Sequence, residues 1–288
     1  MTASTTASRS PVPARRRSLG LRMARAVLPV YTGVVVAYLF VPIVVMIVFG
    51  FNDPQGRFNF TWQGFTLEHW QNLFNRYPAL NESILNSLTV AVISTLVATT
   101  FGTLIGLALT RYDFRGRGPL NLLIFLPIAT PEIVLGASLL ALFVSTGVAR
   151  DLTTITVAHI MFNVSFVVVT VRARIAGFDR ALEEAAMDLG ADEWTTFRKV
   201  TFPLIFPGIL AAGLLAFALS IDDFVITQFT AGQTVTFPLW VYGASRIGVP
   251  PQVNVMGTLI FVVALVGIAL WVALQRRDLT ARPTTMER

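Results

Sequence analysis

The chain has 288 residues, of which 54% are hydrophobic and only 13% are charged. Soluble domains carry roughly twice this charged fraction, so the composition excludes a soluble globular protein and indicates several membrane-spanning segments. The net charge of +6 does not indicate a nucleic-acid-binding protein, because the basic residues form short runs between long apolar stretches.

Six apolar stretches are long enough to cross a bilayer, which requires about 20 residues of helix. They are residues 27–51, 84–110, 120–146, 152–175, 204–230 and 253–274. The leader, residues 1–26, is rich in Ser, Thr, Pro and Arg and is predicted to be a disordered basic tail. Because the first stretch is too long for the apolar core of a signal peptide, we expect it to remain as the first transmembrane helix.

The basic residues are distributed unequally between the two sides of these spans. Eighteen of the 22 Lys and Arg residues lie before the first span, between the second and third, from the end of the fourth (Arg172 and Arg174) to the fifth, or after the sixth. The other four are Arg57, Arg76, Arg150 and Arg246. Positive charge beside a span stays on the cytoplasmic side during insertion, so both termini, including the tail 275–288, are predicted to be cytoplasmic.

The connection 52–83 is predicted to be external and to contain a short helix. Leu67, Trp70, Leu73 and Phe74 recur there at helical spacing. We expect this helix to lie at the outer membrane interface, with Trp70 at the depth of the lipid headgroups.

The connection 176–203 is predicted to be cytoplasmic and is long for a simple turn. Residues 181–189 are strong helix formers, and Gly190 is suited to a left-handed helix end. Asp192 is suited to cap a second helix. The pattern therefore predicts two short helices joined by a turn at the inner face of the membrane.

The first of these helices carries residues suited to contact with another protein. Ala185 and Ala186 are small enough to permit close approach of a second surface, and Glu183 and Glu184 can pair with basic residues of a partner. The alternative is an amphipathic loop that is merely solvated, and helix propensity alone does not separate the two interpretations.

The spacing of this segment resembles the EAA signature of ABC importer permeases. That pattern is EAA, three residues, G, nine residues, I, one residue, LP. Here it reads Glu184-Ala-Ala, then Gly190, Val200 and Phe202-Pro203. The two departures, Val for Ile and Phe for Leu, are both exchanges between apolar residues.

Other stretches resemble one branch of that family, the second permease of spermidine/putrescine importers. They are Asn86-Ser87, RYDFRGRG at 111–118, FVVVTV at 166–171, GFD at 177–179, SIDDFVITQFTAG at 220–232 and PLWVYGASRIGVPPQVN at 238–254. The resemblance therefore extends over nearly the whole chain.

The resemblance implies an all-α membrane protein with six transmembrane helices and the type-1, MetI-like permease fold, whose core is residues 84–274. It implies a polyamine importer in a bacterial inner membrane, assembled with a homologous second permease, a cytoplasmic ABC ATPase dimer and an extracytoplasmic substrate-binding protein. In that family the EAA loop docks in a groove of the ATPase. The residues implied in coupling are Glu183, Glu184, Ala185, Ala186 and Gly190.

The sequence shows no catalytic, cofactor or metal site of its own. A P-loop needs Gly-Lys-Ser/Thr, whereas the only lysine, Lys199, lies between Arg198 and Val200. Cysteine is absent, which excludes thiolate metal sites and cysteine nucleophiles. With only His69 and His159, a multi-histidine metal site is not available either. Energy for transport must come from a separate subunit or from an ion gradient.

Three acidic residues fall inside the apolar spans: Glu132, Asp222 and Asp223. An ionised carboxylate costs about 3 kcal/mol near the centre of a membrane helix, and the spans that carry these acids contain no Lys or Arg. A cationic substrate would supply the missing charge, with Phe224 or Trp240 as apolar walls for its methylene groups. We therefore predict that these residues line a substrate path and that membrane lipid surrounds the spans.

Each acid also has a structural interpretation. Glu132 can be protonated and bonded to a helix carbonyl freed by Pro127 or Pro131. Asp222 and Asp223 can contact water at the end of a span. Because neighbouring residues lie about 100° apart on a helix, we expect only one aspartate to face the path.

Competing functions make different use of the same residues. An intramembrane protease would use Ser138 with His159, but a serine near one histidine is a weak signal, and His159 and Asn163 are better suited to helix–helix hydrogen bonds. A secondary transporter would suit the intramembrane acids but has no use for the EAA segment. A permease for another solute and a structural membrane subunit are the remaining alternatives.

Overall fold

The computed structural model describes residues 19–56, 58–75, 78–177 and 179–280. Within these ranges the chain is helical, with one isolated β-bridge between Asn52 and Phe65 and no strand, so the predicted all-α class is confirmed. Residues 1–18 and 281–288 of the two predicted tails lie outside the described residues, whereas residues 19–26, predicted to be disordered, are helical.

The helices are α1 (Leu19–Phe49), α2 (Glu68–Gln71), α3 (Pro78–Arg111), α4 (Arg117–Ala129), α5 (Glu132–Ser145), α6 (Leu152–Ala176), α7 (Ala181–Asp188), α8 (Glu193–Thr196), α9 (Phe202–Ile221), α10 (Val225–Thr230), α11 (Phe237–Ile247) and α12 (Pro251–Thr280). A π-helical turn, Phe197–Thr201, joins α8 to α9.

Four helical stretches of the described chain are long and apolar enough to span a membrane: α1, α3, α6 and the continuous stretch from α8 through α9. The bent pair α4 and α5 makes a fifth if it is one span. In α12, the apolar stretch among the residues whose side chains the structure describes is Pro251–Gly267, which is shorter than the others.

The chain divides into two compact units, and the first contains residues up to Trp70 and from Pro251 onward. Its helices α1 and α12 pack together, and the rings of Phe40 and Phe261 meet edge to face at 6.5 Å. No residue from Val27 to Phe49 is buried. This open apolar surface suits contact with lipid or with another membrane protein.

The segment after α1 is ordered around Asn52, which is completely buried. Its Nδ2 donates to Asn59 Oδ1 at 2.6 Å and to the carbonyl oxygen of Thr61 at 2.7 Å. Trp70 Nε1 donates to the carbonyl oxygen of Gly50 at 3.0 Å. These bonds hold the chain in a compact turn, so the helix expected here is reduced to the four residues of α2.

The second unit, residues 71–250, is built on α3, α6 and α9. Its buried core consists of small and β-branched side chains: Ala98, Val167, Val171, Ile175, Ile205, Ala212 and Ala216. Small residues let helix backbones approach closely, as is usual where helices pack inside a membrane. This three-helix core positions both candidate sites described below.

The predicted span 120–146 is two helices rather than one, since α4 and α5 are bent by 109°. Thr130 and Pro131 both have ψ of 133°, because Pro131 lacks an N–H and disfavours helical backbone at the residue before it. The apolar residues continue through this break, so hydropathy alone misses it. Glu132 consequently lies in the first turn of α5 rather than in the middle of a continuous helix.

The predicted span 204–230 is also interrupted. Helix α9 ends at Ile221 and α10 begins at Val225. The three residues between them are Asp222, Asp223 and Phe224, so the aspartate pair forms the break rather than following a continuous helix.

Candidate functional site

The segment with the EAA pattern forms α7, a turn and α8. The turn is left-handed at Gly190, whose φ is +90°, and the N–H of Gly190 donates to the carbonyl oxygen of Met187 at 2.9 Å. Asp192 caps α8 by accepting the N–H of Thr195 at 3.1 Å. The helix end predicted at Gly190 and the cap predicted at Asp192 are confirmed.

Glu183 lies on the buried side of α7, and its carboxylate is hydrogen-bonded to other residues of this chain. Its carboxylate accepts hydrogen bonds from Arg111, at the end of α3, and from the hydroxyl of Thr201. The Arg111 hydrogen bond, with help from Thr201, holds the pKa of Glu183 below its ordinary value, although burial opposes this. In contrast to the sequence-based expectation, Glu183 is therefore not open to a basic residue of another protein.

The EAA residues that follow Glu183 are more accessible than Glu183 itself. Glu184 and Ala185 are exposed, and Ala186 is half-buried. Apolar side chains of the same segment are exposed beside them: Leu182, Met187, Leu189 and Trp194. Leu189 is 90% exposed, and a cluster of this kind on a short polar segment is typical of a protein–protein contact.

Replacing Gly190 with alanine is expected to destabilise the α7–α8 turn by about 1 kcal/mol or more, because a side chain at φ +90° is strained. Hydrogen exchange of α7 and α8 measures this loss. Gly177→Ala is the matched control, since Gly177 has an ordinary φ of −86°. Equal protection losses in the two variants would contradict the role of the left-handed turn.

Glu132 is exposed at the start of α5. Among the described residues, no hydrogen bond reaches its carboxylate, so the alternative of a bond to a freed helix carbonyl finds no support. Part of the backbone hydrogen bonding is kept at the break, because the carbonyl oxygen of Pro131 accepts the N–H groups of Val134 and Leu135. The side chain of Glu132 is therefore open to solvent or to a ligand.

Helix α5 packs against α6 and α10 through a cluster of Leu135, Leu139, Phe143, Ala158, Phe162 and Ile226. Gly136 allows the closest approach, since a Cβ there would lie 2.6 Å from the ring of Phe229. The packing ties the helix that begins with Glu132 to the helix that follows the aspartate pair.

Asp223 is the acceptor for the first turn of α10 and lies beside a buried histidine, whose Nε2 also contacts Thr227 Oγ1 at 3.0 Å. Its carboxylate accepts the N–H of Thr227 at 2.8 Å and the Thr227 hydroxyl at 2.7 Å. His159 Nε2 lies 3.2 Å from Asp223 Oδ2. His159 Nδ1 lies 2.7 Å from Ser220 Oγ, which in turn lies 3.1 Å from Ser94 Oγ.

This chain of contacts, the Ser94–Asp223 network, links α3, α6, α9 and α10. It confirms that His159 forms helix–helix hydrogen bonds. It also separates the two aspartates, because Asp223 is turned inward to His159 while Asp222 is exposed. Of the two, Asp222 is the exposed one, and the expectation that only one aspartate faces a substrate path stays a prediction.

Phe224 and Trp240 are both half-buried. The Phe224 ring lies 4.6 Å from the Tyr242 ring, centroid to centroid. The guanidinium of Arg246 lies 4.5 Å from the centre of that same Tyr242 ring. The ring of Phe224 thus contacts Tyr242 of α11, and the sequence did not predict this contact.

The protease alternative does not fit this geometry. Ser138 is exposed and donates to the carbonyl oxygen of Val134 at 2.8 Å, whereas His159 bonds to Ser220 instead. Ser220 and His159 are 5% and 3% exposed, so a substrate has no access to them. Within the described ranges, no group of His, Asp and Glu side chains could hold a metal ion.

Asn163, one turn along α6 from His159, is also buried, but neither atom of its amide has a hydrogen-bond partner within the part of the chain that the structure describes. The helix–helix hydrogen bond expected for this residue is therefore absent there.

Residues 98–279 match the family of binding-protein-dependent transport system inner membrane components. The chain belongs to this family. The match contains the EAA segment, the aspartate pair and all the helices from α4 to α11, and it confirms the family that the spacing of the EAA pattern predicted.

Among curated family members, the spermidine/putrescine transport system permease protein PotC of Escherichia coli K12 is 41% identical over 231 residues, which cover 80% of this chain and 86% of that protein. PotC of Haemophilus influenzae is 35% identical over 246 residues, covering 85% and 95%. The putrescine permease PotI of Escherichia coli K12 is 34% identical over 250 residues, covering 84% and 88%.

Solved structures of distant members share the fold. A bacterial ABC transporter that imports the acidic polysaccharide alginate gives a TM-score of 0.63 at 17% identity, covering 93% of this chain and 99% of that chain. The MetNI methionine transporter gives a TM-score of 0.56 at 18% identity, covering 71% and 97%. The MetI-like permease fold is thereby confirmed.

Two parts of these sites were not found from the sequence. The Arg111–Glu183 pair joins residues that are 72 positions apart, and the His159–Ser220 contact joins residues 61 positions apart. The available signal for the second was His159 itself, since an ionisable residue within an apolar membrane helix is rare unless it has a partner.

Proposed function

We propose that the chain is the permease subunit of an ATP-driven importer of polyamines and forms half of its translocation path. The observation that carries this proposal is the 41% identity over 231 residues to the spermidine/putrescine permease of Escherichia coli. The fold and the accessible EAA residues agree with it. The permease has no nucleotide site, so a separate ATPase supplies the energy.

The proposed topology has six spans in a bacterial inner membrane with both termini in the cytoplasm. The bent pair α4 and α5 serves as the third span and α12 as the sixth. Support comes from the basic residues, which concentrate at one end of the long helices in the described chain: Arg111, Arg115, Arg117, Arg172, Arg174, Arg180, Arg198 and Lys199. The segment 176–203 then lies at the inner face.

The proposed contact with the ATPase is the outer face of α7 and the turn after it. Glu184, Ala185 and Ala186 supply an acid beside small residues, and Leu189 supplies an exposed apolar side chain. Glu183 fixes α7 to α3 from behind through Arg111. Closure of the ATPase would thus move α7, α3 and α9 together, which suits alternating access of a path between helices.

The proposed substrate path uses the exposed carboxylates Asp222 and Glu132, with Phe224 and Trp240 as partly apolar walls. A protonated amine binds a carboxylate through a charge-assisted hydrogen bond, and methylene groups favour aromatic surfaces. A homologous second permease completes the path, and a substrate-binding protein delivers the polyamine to its outer end.

A proton-coupled secondary transporter is the second candidate, because the buried contact between His159 and Asp223 is the type of pair that proton-driven carriers use. It predicts that the purified chain alone moves polyamine in liposomes when a proton gradient is imposed. The importer predicts no transport by the chain alone and uptake that requires ATP.

Uptake of radiolabelled spermidine and putrescine tests the proposed function. Cells that lack this chain are expected to lose energy-dependent uptake at micromolar substrate, and expression of the chain is expected to restore it. Unlabelled polyamines should compete, whereas amino acids and sugars should not. Unchanged uptake in the deletion strain would refute the polyamine assignment, and uptake that persists after ATP depletion but stops with a protonophore would favour the carrier.

A further inference from the structure

A cavity of about 480 Å³ opens between the ends of α3, α4 and α6. Its volume falls in the range of about 300–1,000 Å³ that is typical of small-molecule sites. It lies at the ends of two long helices: Leu109 and Thr110 are at the end of α3, and Ala173 and Ala176 are at the end of α6. Because both helices are spans, the cavity sits at the depth of a membrane surface.

The polar wall of the cavity is cationic. Arg172 of α6 and Arg117 of α4 both line it, together with the amide of Asn121. No Asp or Glu is among the lining residues. A polyamine would be repelled here, so this cavity is not part of the proposed substrate path.

Arg172 lacks an anionic partner among the described residues. Its side chain is half-buried, and its Nη1 donates to Asn121 Oδ1 at 2.6 Å. A neutral amide leaves the charge of a partly desolvated guanidinium uncompensated, and the other donors of its planar fork remain free to bind an anion.

Arg117 has an acidic partner that neutralises it only weakly. It pairs with Asp113, whose side chain is 91% exposed, and solvent-exposed ion pairs of this kind contribute little. The second guanidinium therefore also retains the capacity to bind an anion inside the cavity.

The other wall of the cavity is apolar and is formed by Leu109, Phe125 and Val169. Two arginines at the membrane surface beside an apolar wall match the chemistry of a lipid, in which a phosphate group is joined to acyl chains. The cytoplasmic leaflet carries anionic lipids, and basic pockets between transmembrane helices on that side bind their headgroups.

We propose that this cavity binds the phosphate headgroup of an anionic phospholipid, with Arg172 and Arg117 as cationic donors and Leu109, Phe125 and Val169 against the acyl chains. The proposed topology places the site in the inner leaflet. It adjoins the coupling segment, because Arg180 Nη2 donates to the carbonyl oxygen of Thr110 at 3.3 Å.

Native mass spectrometry of the full chain, purified in detergent with the subunits that accompany it, tests this site. The probes are phosphatidylglycerol, phosphatidylcholine with the same acyl chains, and inorganic phosphate. We expect the wild-type protein to retain phosphatidylglycerol at least about tenfold more tightly than phosphatidylcholine, since each arginine near an anionic lipid surface contributes about 1 kcal/mol. The double variant Arg117→Gln/Arg172→Gln is expected to lose that preference.

The matched control is Arg115→Gln/Arg198→Gln, which removes the same charge from two exposed arginines outside the cavity lining. It is expected to keep the preference. The single variant Arg117→Gln, at the rim, replaces the double variant if the latter fails to fold, and it should lower the preference severalfold. Equal binding of the two lipids by the wild type, or an equal loss in the control, would overturn the proposal. Retention of inorganic phosphate without a lipid preference would assign the cavity to a soluble phosphate compound instead.

Discussion

Replacing Asp223 with alanine is expected to destabilise the permease by about 3 kcal/mol, whereas Asp222→Asn is expected to leave its stability within about 0.5 kcal/mol. The difference follows from burial. Asp223 accepts the N–H and hydroxyl of Thr227 and lies 3.2 Å from His159 Nε2. Its removal leaves a buried imidazole without its acidic partner and the first turn of α10 without a cap. Thermal unfolding of the purified protein in detergent, followed by tryptophan fluorescence, measures both changes.

Polyamine uptake, compared at equal amounts of each variant protein, is expected to fall more for the Asp222 substitution than for the Asp223 substitution. Asp222→Asn removes the exposed charge that the proposed path offers to a protonated amine. The loss of one charge-assisted hydrogen bond, worth about 1.5–3 kcal/mol, corresponds to roughly a ten- to hundredfold decrease in polyamine uptake. Asp223→Asn is the matched comparison, since it keeps the side-chain shape. A stable Asp223→Ala protein, or full uptake by Asp222→Asn, would show that the two aspartates have been assigned wrongly.

Replacing Glu183 with alanine is expected to detach α7 from α3. Arg111 and Thr201 would lose the carboxylate that joins them, and breaking one side of a buried pair costs about 3 kcal/mol. Hydrogen exchange should rise in α7 and in the π-helical turn before α9, while the central turns of α3 and α6 keep their protection. ATP-dependent uptake is expected to decrease in the same variant. A protection pattern like that of the wild type would count against the bracing role.

Glu184→Gln is the control for Glu183, because the neighbouring carboxylate is exposed. It should leave the exchange of α7 unchanged and affect only the coupling between ATP hydrolysis and uptake. An exchange increase equal to that of Glu183→Ala would mean that the bracing contact is not specific to Glu183.

Lowering the pH is expected to weaken the contact between α7 and α3, as the Glu183→Ala substitution does. Since the folded state lowers the pKa of Glu183 from its ordinary 4.5, the stabilisation is complete above that pH and declines as the pH falls below it through the folded value. Glu183→Gln should lack this acid-dependent step.

The features that the sequence predicted well depend on short-range chemistry. Gly190 ends α7 and Asp192 caps α8 because each uses backbone groups within three residues of itself. The EAA pattern, which identified the family, is complete within 20 residues. These signals require no knowledge of how distant helices pack.

The features that the sequence did not predict depend on tertiary contacts. Periodicity treated Glu183 and Glu184 alike, because the partner that buries Glu183 is on another helix. Hydropathy read residues 120–146 and 204–230 as continuous spans, since its window averages over apolar residues on both sides of each break. Pro131 did signal the first break, whereas the second falls where Asp223 contacts His159 of another helix, and no proline marks it.

The 109° bend between α4 and α5 also has an electrostatic consequence. Helix dipoles place about half a negative elementary charge at the C-terminus of α4 and half a positive one at the N-terminus of α5. Glu132, in the first turn of α5, lies at the positive pole. Since the two opposite helix poles at the corner nearly cancel, its net negative charge comes from the Glu132 carboxylate, and the proposed attraction of this corner for a protonated amine depends on that one side chain.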